Sequence, residues 1–479
     1  MEPISRRQAL QLGLVGAASV AVGATGLARS LSSDSPVLAS TGSPRWREPP
    51  ELRSSGGRLE VNLEVALTRL DLAGTDAHVL TYSGELPGAT WRVSPGDRIA
   101  VRLVNRLDAP TNLHFHGLHV SPEGNGDNPF LSIEPGQAFD YEIRLPEDHP
   151  PGTYWYHPHL HGLVADQLFG GLYGAVVVAD DVPVARERVL VVSDISLQQD
   201  GTVRPVTVPE QMAGREGELV LVNGQVEPHL SIRAGQTERW RVINACSSRF
   251  LNLAPEGLGV RALAVDAGRY PEPFDVERLL LAPGNRADLL VTATAGAGRL
   301  GTVGYDRGGP MMMRAGPGDL SGPVLLATVA ATADDAEPDR LTVPPVRQPD
   351  LRDRRPDRQR VLEFSMGMRM ARMTFGFDGR EFDPDRTDQQ VRAGSLEEWV
   401  IRNPTPMDHP FHLHVWPMQV VDHSGTGPRE PMWRDVVNVP ARGEVTVRID
   451  FADIGGRTVY HCHILDHEDA GMMGVVEVR

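Results

Sequence analysis

The segment Ser94-Pro-Gly-Asp-Arg-Ile-Ala-Val-Arg-Leu-Val-Asn105 recurs twice, as Arg233-Ala-Gly-Gln-Thr-Glu-Arg-Trp-Arg-Val-Ile-Asn244 and as Arg392-Ala-Gly-Ser-Leu-Glu-Glu-Trp-Val-Ile-Arg-Asn403. Each copy is a glycine turn, then an alternating run typical of a β-strand, then an asparagine. Nearly all of the remaining chain consists of short alternating runs separated by Gly and Pro. The repeat therefore predicts an all-β protein built from three β-sandwich domains.

The length and charge of the chain agree with this organisation. A chain of 479 residues is too long for one ordinary hydrophobic core. We place the domains at 57–181, 182–335 and 336–479, the last of which begins with a linker rich in Pro, Asp and Arg. The formal net charge of −16 argues against nucleic acid or an anionic membrane as a partner. With only two cysteines, Cys246 and Cys462, no disulfide framework is predicted.

Residues 1–56 have the character of an export signal followed by a flexible tether. Arg6 and Arg7 precede an apolar run of small residues from Leu12 to Leu27, which resembles a twin-arginine signal. We therefore expect the twin-arginine translocase as a partner during export, and a location in the periplasm, the cell envelope or outside the cell. Four glycines interrupt the run, so a permanent membrane helix is the less favoured alternative.

The potential metal ligands concentrate near the C-terminus, in Tyr460-His-Cys-His-Ile-Leu-Asp-His-Glu-Asp-Ala-Gly-Met472. A thiolate, imidazoles and a thioether form the soft ligand set that favours copper, as in blue-copper electron-transfer sites. The segment before Gly471 is predicted to be a strand, on which His461 and His463 face one way and Cys462 faces the other. The His-Cys-His tripeptide could then contact two metal sites. A zinc site, or buried histidines without a metal, are the alternatives.

Histidine pairs recur at matched distances from the repeated asparagines. In the first and third copies a His-x-His pair follows the asparagine by nine and eleven residues, and a second pair lies further along each domain. The pairs are His114/His116, His157/His159, His412/His414 and His461/His463. Both members of such a pair point the same way on a strand, so facing pairs could hold three copper ions between the first and third domains. The middle domain has no pair at these positions and is predicted to be copper-free and to act as a spacer or a wall.

Together these motifs resemble the four copper motifs of the three-domain multicopper oxidases, the laccase-like family. The resemblance covers essentially the whole chain after the signal and implies cupredoxin-like Greek-key domains with four copper ions. By position, it assigns the type 1 copper to His409, Cys462, His467 and Met472, the type 2 copper to His114 and His412, and the type 3 pair to His116, His157, His159, His414, His461 and His463. No ligand of the pattern is missing, whereas some exported relatives that assist cell division have lost copper ligands.

The resemblance also implies a reaction. A reducing substrate, expected to be a phenol or an aromatic amine, gives single electrons to the type 1 copper, and dioxygen is reduced by four electrons to water. Glu468, beside His467, matches the family's proton-relay acid, and Asp127, downstream of His116, is the candidate on the other side of the cluster. The alternative for each acid is a solvated carboxylate in a loop.

Methionines raise a second possibility for the substrate. One group contains Met366, Met368, Met370 and Met373, and another is Met311-Met312-Met313. Thioethers bind Cu(I), so a methionine patch near the type 1 site would indicate oxidation of cuprous or other metal ions. The alternative is that these methionines fill irregular apolar gaps. A non-enzymatic scaffold in the cell envelope is a third hypothesis, which the complete ligand set disfavours.

Overall fold

The computed structural model describes residues 44–293, 296–309, 322–332, 341, 343–344, 348–369, 372–425, 427–428 and 431–479. In these ranges the chain forms six β-sheets, with short helices between some of the strands. The predicted export signal, Met311-Met312-Met313 and Met370 lie outside the described residues. Within the described ranges, no helix is long and apolar enough to cross a membrane.

The first pair of sheets combines the orders β1-β4-β9-β8-β6 and β3-β2-β5-β7. Trp91, Val101 and Phe115 are buried in the core of this pair. The strands are β1 (Glu51–Arg53), β2 (Arg58–Leu72), β3 (Thr75–Tyr82), β4 (Gly88–Val93), β5 (Arg98–Asn105), β6 (His114–His116), β7 (Ala138–Arg144), β8 (Gly152–His157) and β9 (Gly174–Val178).

The second pair combines the orders β11-β10-β13-β18-β15-β16 and β12-β20-β19-β14-β17. Its core contains Trp240 and Leu289. The strands are β10 (Arg186–Ile195), β11 (Leu219–Val222), β12 (His229–Arg233), β13 (Thr237–Asn244), β14 (Leu251–Glu256), β15 (Leu258–Val265), β16 (Gly268–Asp275), β17 (Leu279–Leu281), β18 (Arg286–Ala293), β19 (Gly296–Val303) and β20 (Val324–Thr332).

The third pair combines the orders β22-β21-β24-β29-β26-β27 and β23-β31-β30-β25-β28. Its core contains Trp399, Phe411 and Cys462. The strands are β21 (Arg358–Arg369), β22 (Arg372–Phe377), β23 (Gln389–Val391), β24 (Leu396–Asn403), β25 (His409–Leu413), β26 (Met418–His423), β27 (Met432–Arg434), β28 (Val436–Val439), β29 (Gly443–Asp450), β30 (Gly456–Cys462) and β31 (Met473–Val478). Three pairs of sheets confirm the predicted all-β class.

The repeated segment forms β5, β13 and β24, which lie at interior positions of their sheets. Its terminal asparagine is buried in each copy, and the side-chain amide donates to at least two backbone carbonyls beyond the strand. The acceptors are Ala109 and Ile133 for Asn105, Arg249 and Leu281 for Asn244, and Met407 and Val439 for Asn403. Because buried amides need such partners, the asparagine ties the strand to the segments that follow it. In the first and third copies the next strand, β6 or β25, carries a His-x-His pair.

The described helices are short. They are α1 (Val164–Phe169), α2 (Val208–Ala213), α3 (Leu465–Asp469) and a 3-10 helix at Leu351–Asp353. The prediction of a strand continuing towards Gly471 is therefore wrong beyond Cys462, where β30 ends and α3 follows. A five-residue helix has no detectable periodicity and little intrinsic stability, so tertiary contacts determine it.

Part of the predicted tether is folded. β1 pairs in parallel with β4, and Glu51 forms an ion pair with Arg92. Upstream of β1, the backbone N–H of Trp46 donates to the carbonyl of His229 in β12. Residues 45–53 therefore pack on the first and second pairs of sheets and are not a free linker. The domain boundaries at 57, 182 and 336 stay predictions.

Candidate metal centre

A first group of side chains brings together His409, Cys462 and His467, all fully buried. The Cys462 Sγ lies 3.4 Å from Nδ1 of His409 and 4.0 Å from Nδ1 of His467. Metal bonds of about 2.3 Å to sulfur and about 2.0 Å to nitrogen let one ion contact atoms up to about 4.3 Å apart. The thiol and both imidazoles can therefore share one metal ion.

Neighbouring residues fix the orientation of these ligands. The outer nitrogen, Nε2, lies 2.9 Å from Thr405 Oγ1 in His409 and 3.1 Å from the Met212 carbonyl in His467. Both Nδ1 atoms consequently point towards the sulfur. Burial raises the pKa of the Cys462 thiol, and the backbone N–H of Ile464, which donates to the sulfur at 3.4 Å, opposes that rise. Preorganised outer contacts of this kind are typical of metal sites.

Met472 lies beside this group through its backbone. Its carbonyl accepts from the Cys462 N–H at 3.0 Å, and its own N–H donates to the His467 carbonyl at 2.8 Å. The side chain is fully buried in the same apolar core as Cys462. The four residues predicted to bind the type 1 copper are thus neighbours.

A second group gathers the eight histidines of the four predicted pairs, all buried at the seam of the first and third pairs of sheets. β6 and β8 are paired, with His114 opposite His157, and β25 and β30 are paired, with His412 opposite His461. Across the seam, the ring of His114 stacks on that of His414 at 3.9 Å between centroids. The predicted convergence of the pairs is therefore present.

Three nitrogens of this group form a nearly equilateral triangle. The Nε2 atoms of His159, His414 and His461 lie 3.1 to 3.2 Å from one another. A point equidistant from them lies 3.2/√3, or about 1.8 Å, from each nitrogen, close to the metal–imidazole distance of about 2.0 Å. These three rings are already arranged as metal ligands.

Unpartnered nitrogens indicate how the other rings fit a metal. Nε2 of His114, His157 and His412 and Nδ1 of His116 are buried and have no hydrogen-bond partner among the described residues. Buried polar atoms of this kind are rare in native proteins, and a bound ion supplies the missing partner. The donor set therefore fits metal ions that prefer imidazole, among them copper.

His463 stands slightly apart. Its ring lies 5.0 Å from that of His116 and 5.9 Å from that of His157, and both of its nitrogens are buried without a partner among the described residues. It belongs to none of the tight ligand groups found in the described chain. The alternation predicted for His461 and Cys462 is present, since His461 faces the histidine cluster and Cys462 faces the mononuclear group.

Burial sets the protonation of the imidazoles. Loss of hydration lowers the pKa of all ten histidines of the two groups, to about 4 for His159 and His461, to about 3 for His467, and well below the usual range for His114, His116, His157, His409, His412, His414 and His463. At neutral pH these rings are uncharged and keep a lone pair for a metal, as ligation requires.

Asp127 lies against the cluster on the first-domain side. Its Oδ1 lies 2.9 Å from Nδ1 of His114 and accepts the Phe115 backbone N–H at 3.0 Å. It is buried, not a solvated loop acid, and burial raises its pKa to about 7. The carboxylate directs Nε2 of His114 towards the other imidazoles.

Glu468 is also fully buried and faces the opposite side of the cluster. Its carboxylate oxygens lie 3.0 Å from Nδ1 of His461 and 3.4 Å from Nε2 of His159, without hydrogen-bond geometry to either ring. Burial raises its pKa to about 7, and His159 opposes the rise. Glu468 is therefore not a solvated carboxylate in a loop, which was the alternative for this residue.

The methionine group lies on a hairpin that covers the mononuclear site. Phe364 of β21 stacks on His409 at 4.9 Å, and Phe375 of β22 stacks on His467 at 4.6 Å. Further along the same face, Met366 and Met373 are half-buried and Met368 is 74% exposed. Met368 and Met373 are partners across the hairpin.

Some residues that approach the cluster lie outside the His motifs and were not predicted from the sequence. Asp435 contacts His116 and His412, and Arg286 and Gly284 of the middle pair of sheets approach the cluster. The middle pair of sheets therefore contacts the cluster, whereas the prediction left open whether this domain is a spacer or a wall. Strand pairing of β25 with β28 brings Asp435 close, so local sequence spacing carries no signal for it.

Comparisons with known proteins agree with this geometry. Family models described as multicopper oxidase match residues 64–182, 196–299 and 351–479. A multicopper oxidase, mco, of Staphylococcus aureus is 28% identical over 417 residues, covering 85% of each chain. The cell division protein FtsP of Sodalis glossinidius is 29% identical over 451 residues, covering 90% of this chain and 91% of its own.

A solved structure is similar over nearly the whole chain. The multicopper oxidase from Campylobacter jejuni, described as a metallo-oxidase, has a TM-score of 0.81 and 29% identity, covering 91% of this chain and 95% of its own. The three sandwiches are therefore cupredoxin-like, as the sequence predicted. Since the three family models together match most of the chain and the buried imidazole and thiol groups fit copper, this protein belongs to the multicopper oxidase family.

Proposed function

We propose that this protein takes single electrons from a reductant at the Cys462 site and uses them to reduce dioxygen to water at the histidine cluster. In this proposal four copper ions bind as the family pattern predicts: type 1 at His409, Cys462, His467 and Met472, type 2 at His114 and His412, and type 3 at His116, His157, His159, His414, His461 and His463. The observation that carries the proposal is that two buried groups of potential metal ligands lie on opposite faces of the tripeptide His461-Cys462-His463.

Bound copper would supply the electron acceptor and the dioxygen-reducing centre. The chain supplies the path between them, because Cys462 is covalently continuous with His461 and His463. Complete burial of the ligands excludes water and lowers the local dielectric, which strengthens the electrostatic interactions within the site. Thr405 holds the ring of His409, and the Met212 carbonyl holds the ring of His467. Because both rings are fixed, the ligands move little when the charge of a bound metal changes.

Protons for water formation are assigned to Glu468 and Asp127. Reduction of one dioxygen by four electrons consumes four protons. Each carboxyl group holds a proton near neutral pH because burial raises its pKa to about 7. Glu468 would deliver protons from the α3 side, and Asp127 from the β6 side. A pKa close to the working pH is what general acid–base catalysis requires.

A cuprous ion is the reductant favoured by the geometry. The hairpin face that stacks on His409 and His467 continues outward through Met366, Met373 and Met368. Thioethers bind Cu(I), and their exposure increases away from the site. Among the described residues, His467 and His409 are fully buried, and their outer nitrogens contact the Met212 carbonyl and Thr405 Oγ1. Neither ring therefore offers an exposed edge to a phenol in this part of the chain. Phenols and aromatic amines, the substrates implied by the resemblance to laccases, are the second candidate.

Replacing Met366, Met368, Met370 and Met373 together by leucine separates the two reductants. Leucine conserves the apolar bulk but removes the thioethers. We expect oxygen uptake with Cu(I) to fall about tenfold or more, since one lost ligand interaction of about 1.4 kcal/mol has that effect, while uptake with a phenolic dye changes little. The measurement is steady-state oxygen consumption with each reductant. Equal losses with both reductants would contradict the cuprous assignment.

The same measurement tests the scaffold hypothesis. A chain loaded with copper that consumes no oxygen with Cu(I), Mn(II), phenols or aromatic amines would be a scaffold, in contradiction to the proposal. Export through the twin-arginine pathway also belongs to the proposal and rests on Arg6 and Arg7. Replacement of both arginines by Lys should retain the protein inside the cell, as fractionation would detect.

A further inference from the structure

A turn of the middle pair of sheets reaches the histidine cluster, although no proposed ligand lies in that part of the chain. The turn precedes β18 and contains Gly284, whose φ is +88°. A Cβ at this position would lie 2.8 Å from Nε2 of His463. The turn is therefore in contact with the ring of a proposed type 3 ligand.

The first residue of β18, Arg286, is fully buried and forms an ion pair with Asp435 through two hydrogen bonds of 2.5 and 2.7 Å. Its Nε donates to the Thr153 carbonyl at 2.9 Å, and its Nη1 lies 3.2 Å from Asp266. Arg286 thus connects residues of all three pairs of sheets.

Asp435 in turn contacts two imidazoles. Its Oδ1 lies 3.0 Å from Nε2 of His116, and its backbone carbonyl lies 2.8 Å from Nδ1 of His412. The two rings stack in parallel, with 4.0 Å between centroids and 8° between planes. These contacts use one nitrogen of each ring and leave Nδ1 of His116 and Nε2 of His412 without a protein partner among the described residues.

The absence of a side chain at Gly117 leaves room for the ion pair between Arg286 and Asp435. Gly117 follows His116 with a φ of +83°, and a Cβ there would lie 2.6 Å from Nη2 of Arg286 and 2.9 Å from Oδ2 of Asp435. The close approach of the ion pair therefore explains the glycine of the His-x-His-Gly motif. A side chain at this position would have to displace the ion pair or the strand.

Asp435 is not itself suited to be a metal ligand. Although it lies within ligand distance of His116 and His412, Arg286 occupies both of its oxygens. A cation beside the guanidinium would be repelled. Asp435 contacts Nε2 of His116 and Nδ1 of His412, whereas the nitrogens left free for a metal are Nδ1 of His116 and Nε2 of His412.

We propose that Asp435 is a positioning residue, held by Arg286, that selects which nitrogen of His116 and of His412 faces the copper cluster. The middle domain thereby takes part in building the cluster through the Gly284–Arg286 turn. This inference rests on the proposed function. It concerns ring orientation and not a proton or electron step.

The test compares copper retention in Arg286→Lys, Asp435→Asn and the control Glu238→Gln. Lysine keeps the charge of Arg286 but loses its two parallel bonds, and asparagine keeps the shape of Asp435 but pairs poorly with Arg286. Glu238 is a matched control because it forms an equally buried two-bond ion pair with Arg188, away from the proposed ligands. Copper-loaded proteins are equilibrated with increasing chelator concentrations, and copper per chain and blue absorption are measured.

We expect the cluster copper of both Arg286→Lys and Asp435→Asn to be lost at a chelator concentration about 10- to 100-fold lower than in the wild type, the usual effect of removing an outer-contact residue. Blue absorption from the Cys462 site should keep its wild-type chelator dependence, and Glu238→Gln should retain all copper. Circular dichroism identifies any variant that does not fold. If Asp435→Asn does not fold, Arg286→Lys alone decides.

Wild-type copper retention in the folded variants would overturn the inference. An equal loss in Glu238→Gln would overturn it too, because the effect would then be general destabilisation. A wild-type protein that binds no copper would instead refute the proposed function. The failure of the inference is therefore distinguishable from the failure of the function on which it rests.

Discussion

At the scale of single residues, the histidine motifs were predictable because they lie at fixed distances from the repeated asparagines. His114 and His412 could be paired in this way before any fold was known. Residues outside the repeat could not be predicted from the sequence in this way. Asp435 reaches His412 only because β28 pairs with β25, and Met212 reaches His467 only through the packing of α2 on α3. Such contacts depend on tertiary structure, and one sequence contains no pattern for them.

Substitution of Cys462 by serine tests the mononuclear site. Serine removes the soft ligand while conserving size, so we expect the strong blue absorption and oxygen uptake to disappear and the fold to remain. The visible spectrum and circular dichroism measure these effects. The control is Cys246→Ser, because Cys246 is equally buried but lies beside the Val192 carbonyl, outside the proposed ligand set. Blue colour retained in Cys462→Ser would refute the assignment.

Substitution of Glu468 by glutamine tests proton delivery. Glutamine conserves shape but holds no transferable proton, so oxygen uptake should fall by about 10²- to 10⁴-fold, the usual contribution of a general acid. The wild-type rate should decrease as pH rises through about 7, where burial places the pKa of Glu468, and this dependence should weaken in the variant. Unchanged blue absorption is the control for intact copper. A wild-type rate in Glu468→Gln would contradict the assignment.

At the scale of secondary-structure elements, strands were more predictable than helices. Alternation along β2 appears directly as a buried face and an exposed face. Helix α3 was not predicted because its five residues depend on distant partners. Asp466 pairs with Arg215, which precedes β11, and the Asp469 carboxylate accepts the backbone N–H groups of Gly162, Val164 and Ala165 at the start of α1.

Replacement of Asp469 by alanine tests this contact between α3 and α1. Loss of the carboxylate leaves two partly buried N–H groups and one exposed N–H group without their acceptor, and each unsatisfied buried donor costs about 1–3 kcal/mol. Because these donors are only partly buried and can reach water, we expect the free energy of unfolding, measured with urea, to fall by about 1–3 kcal/mol in total. Asp200→Ala removes an exposed acid whose hydrogen bonds in the described part of the chain go to Thr202 of its own turn, and it should change this free energy by less than about 0.5 kcal/mol. Equal effects would contradict the predicted role.

At the scale of the whole molecule, the three sandwiches enclose a centre that no single one of them could form. The repeat predicted three units and the seam between the first and third. For the middle unit it predicted only a spacer or a wall, without naming any residue that approaches the cluster. That approach depends on Gly284 and Arg286, which lie in no recurring motif. Ten imidazoles are buried in this centre, and burial of each ring disfavours its charged form.

The metal-free protein should consequently be sensitive to acid. A lowered folded-state pKa contributes stability that is present above the unfolded value of about 6.5 and is lost as pH falls. Below pH about 6.5, each such histidine lowers the free energy of unfolding by up to about 1.4 kcal/mol for every unit that the pH falls. Twelve histidines have a lowered pKa, the ten of the centre together with His149 and His161.

Fewer titratable groups make the folded protein more stable as the pH falls. Burial raises the pKa of seven carboxylic acids, Asp127, Asp194, Asp378, Asp435, Asp466, Glu468 and Asp469, and they lose stability as pH rises. The histidines therefore dominate between pH 6.5 and 5. We expect the urea midpoint of the metal-free protein to be clearly lower at pH 5.5 than at pH 7.5, with a smaller change after copper loading. Equal midpoints at the two pH values would contradict this expectation.

The central claim is that the chain holds one sulfur-bound copper and a separate cluster of copper ions held by imidazoles. Its most direct test is a count of copper per chain together with the visible spectrum of the same purified sample. We predict four copper ions per chain and a strong blue absorption. A colourless protein with full metal occupancy, or a protein that binds zinc in preference to copper, would contradict the claim.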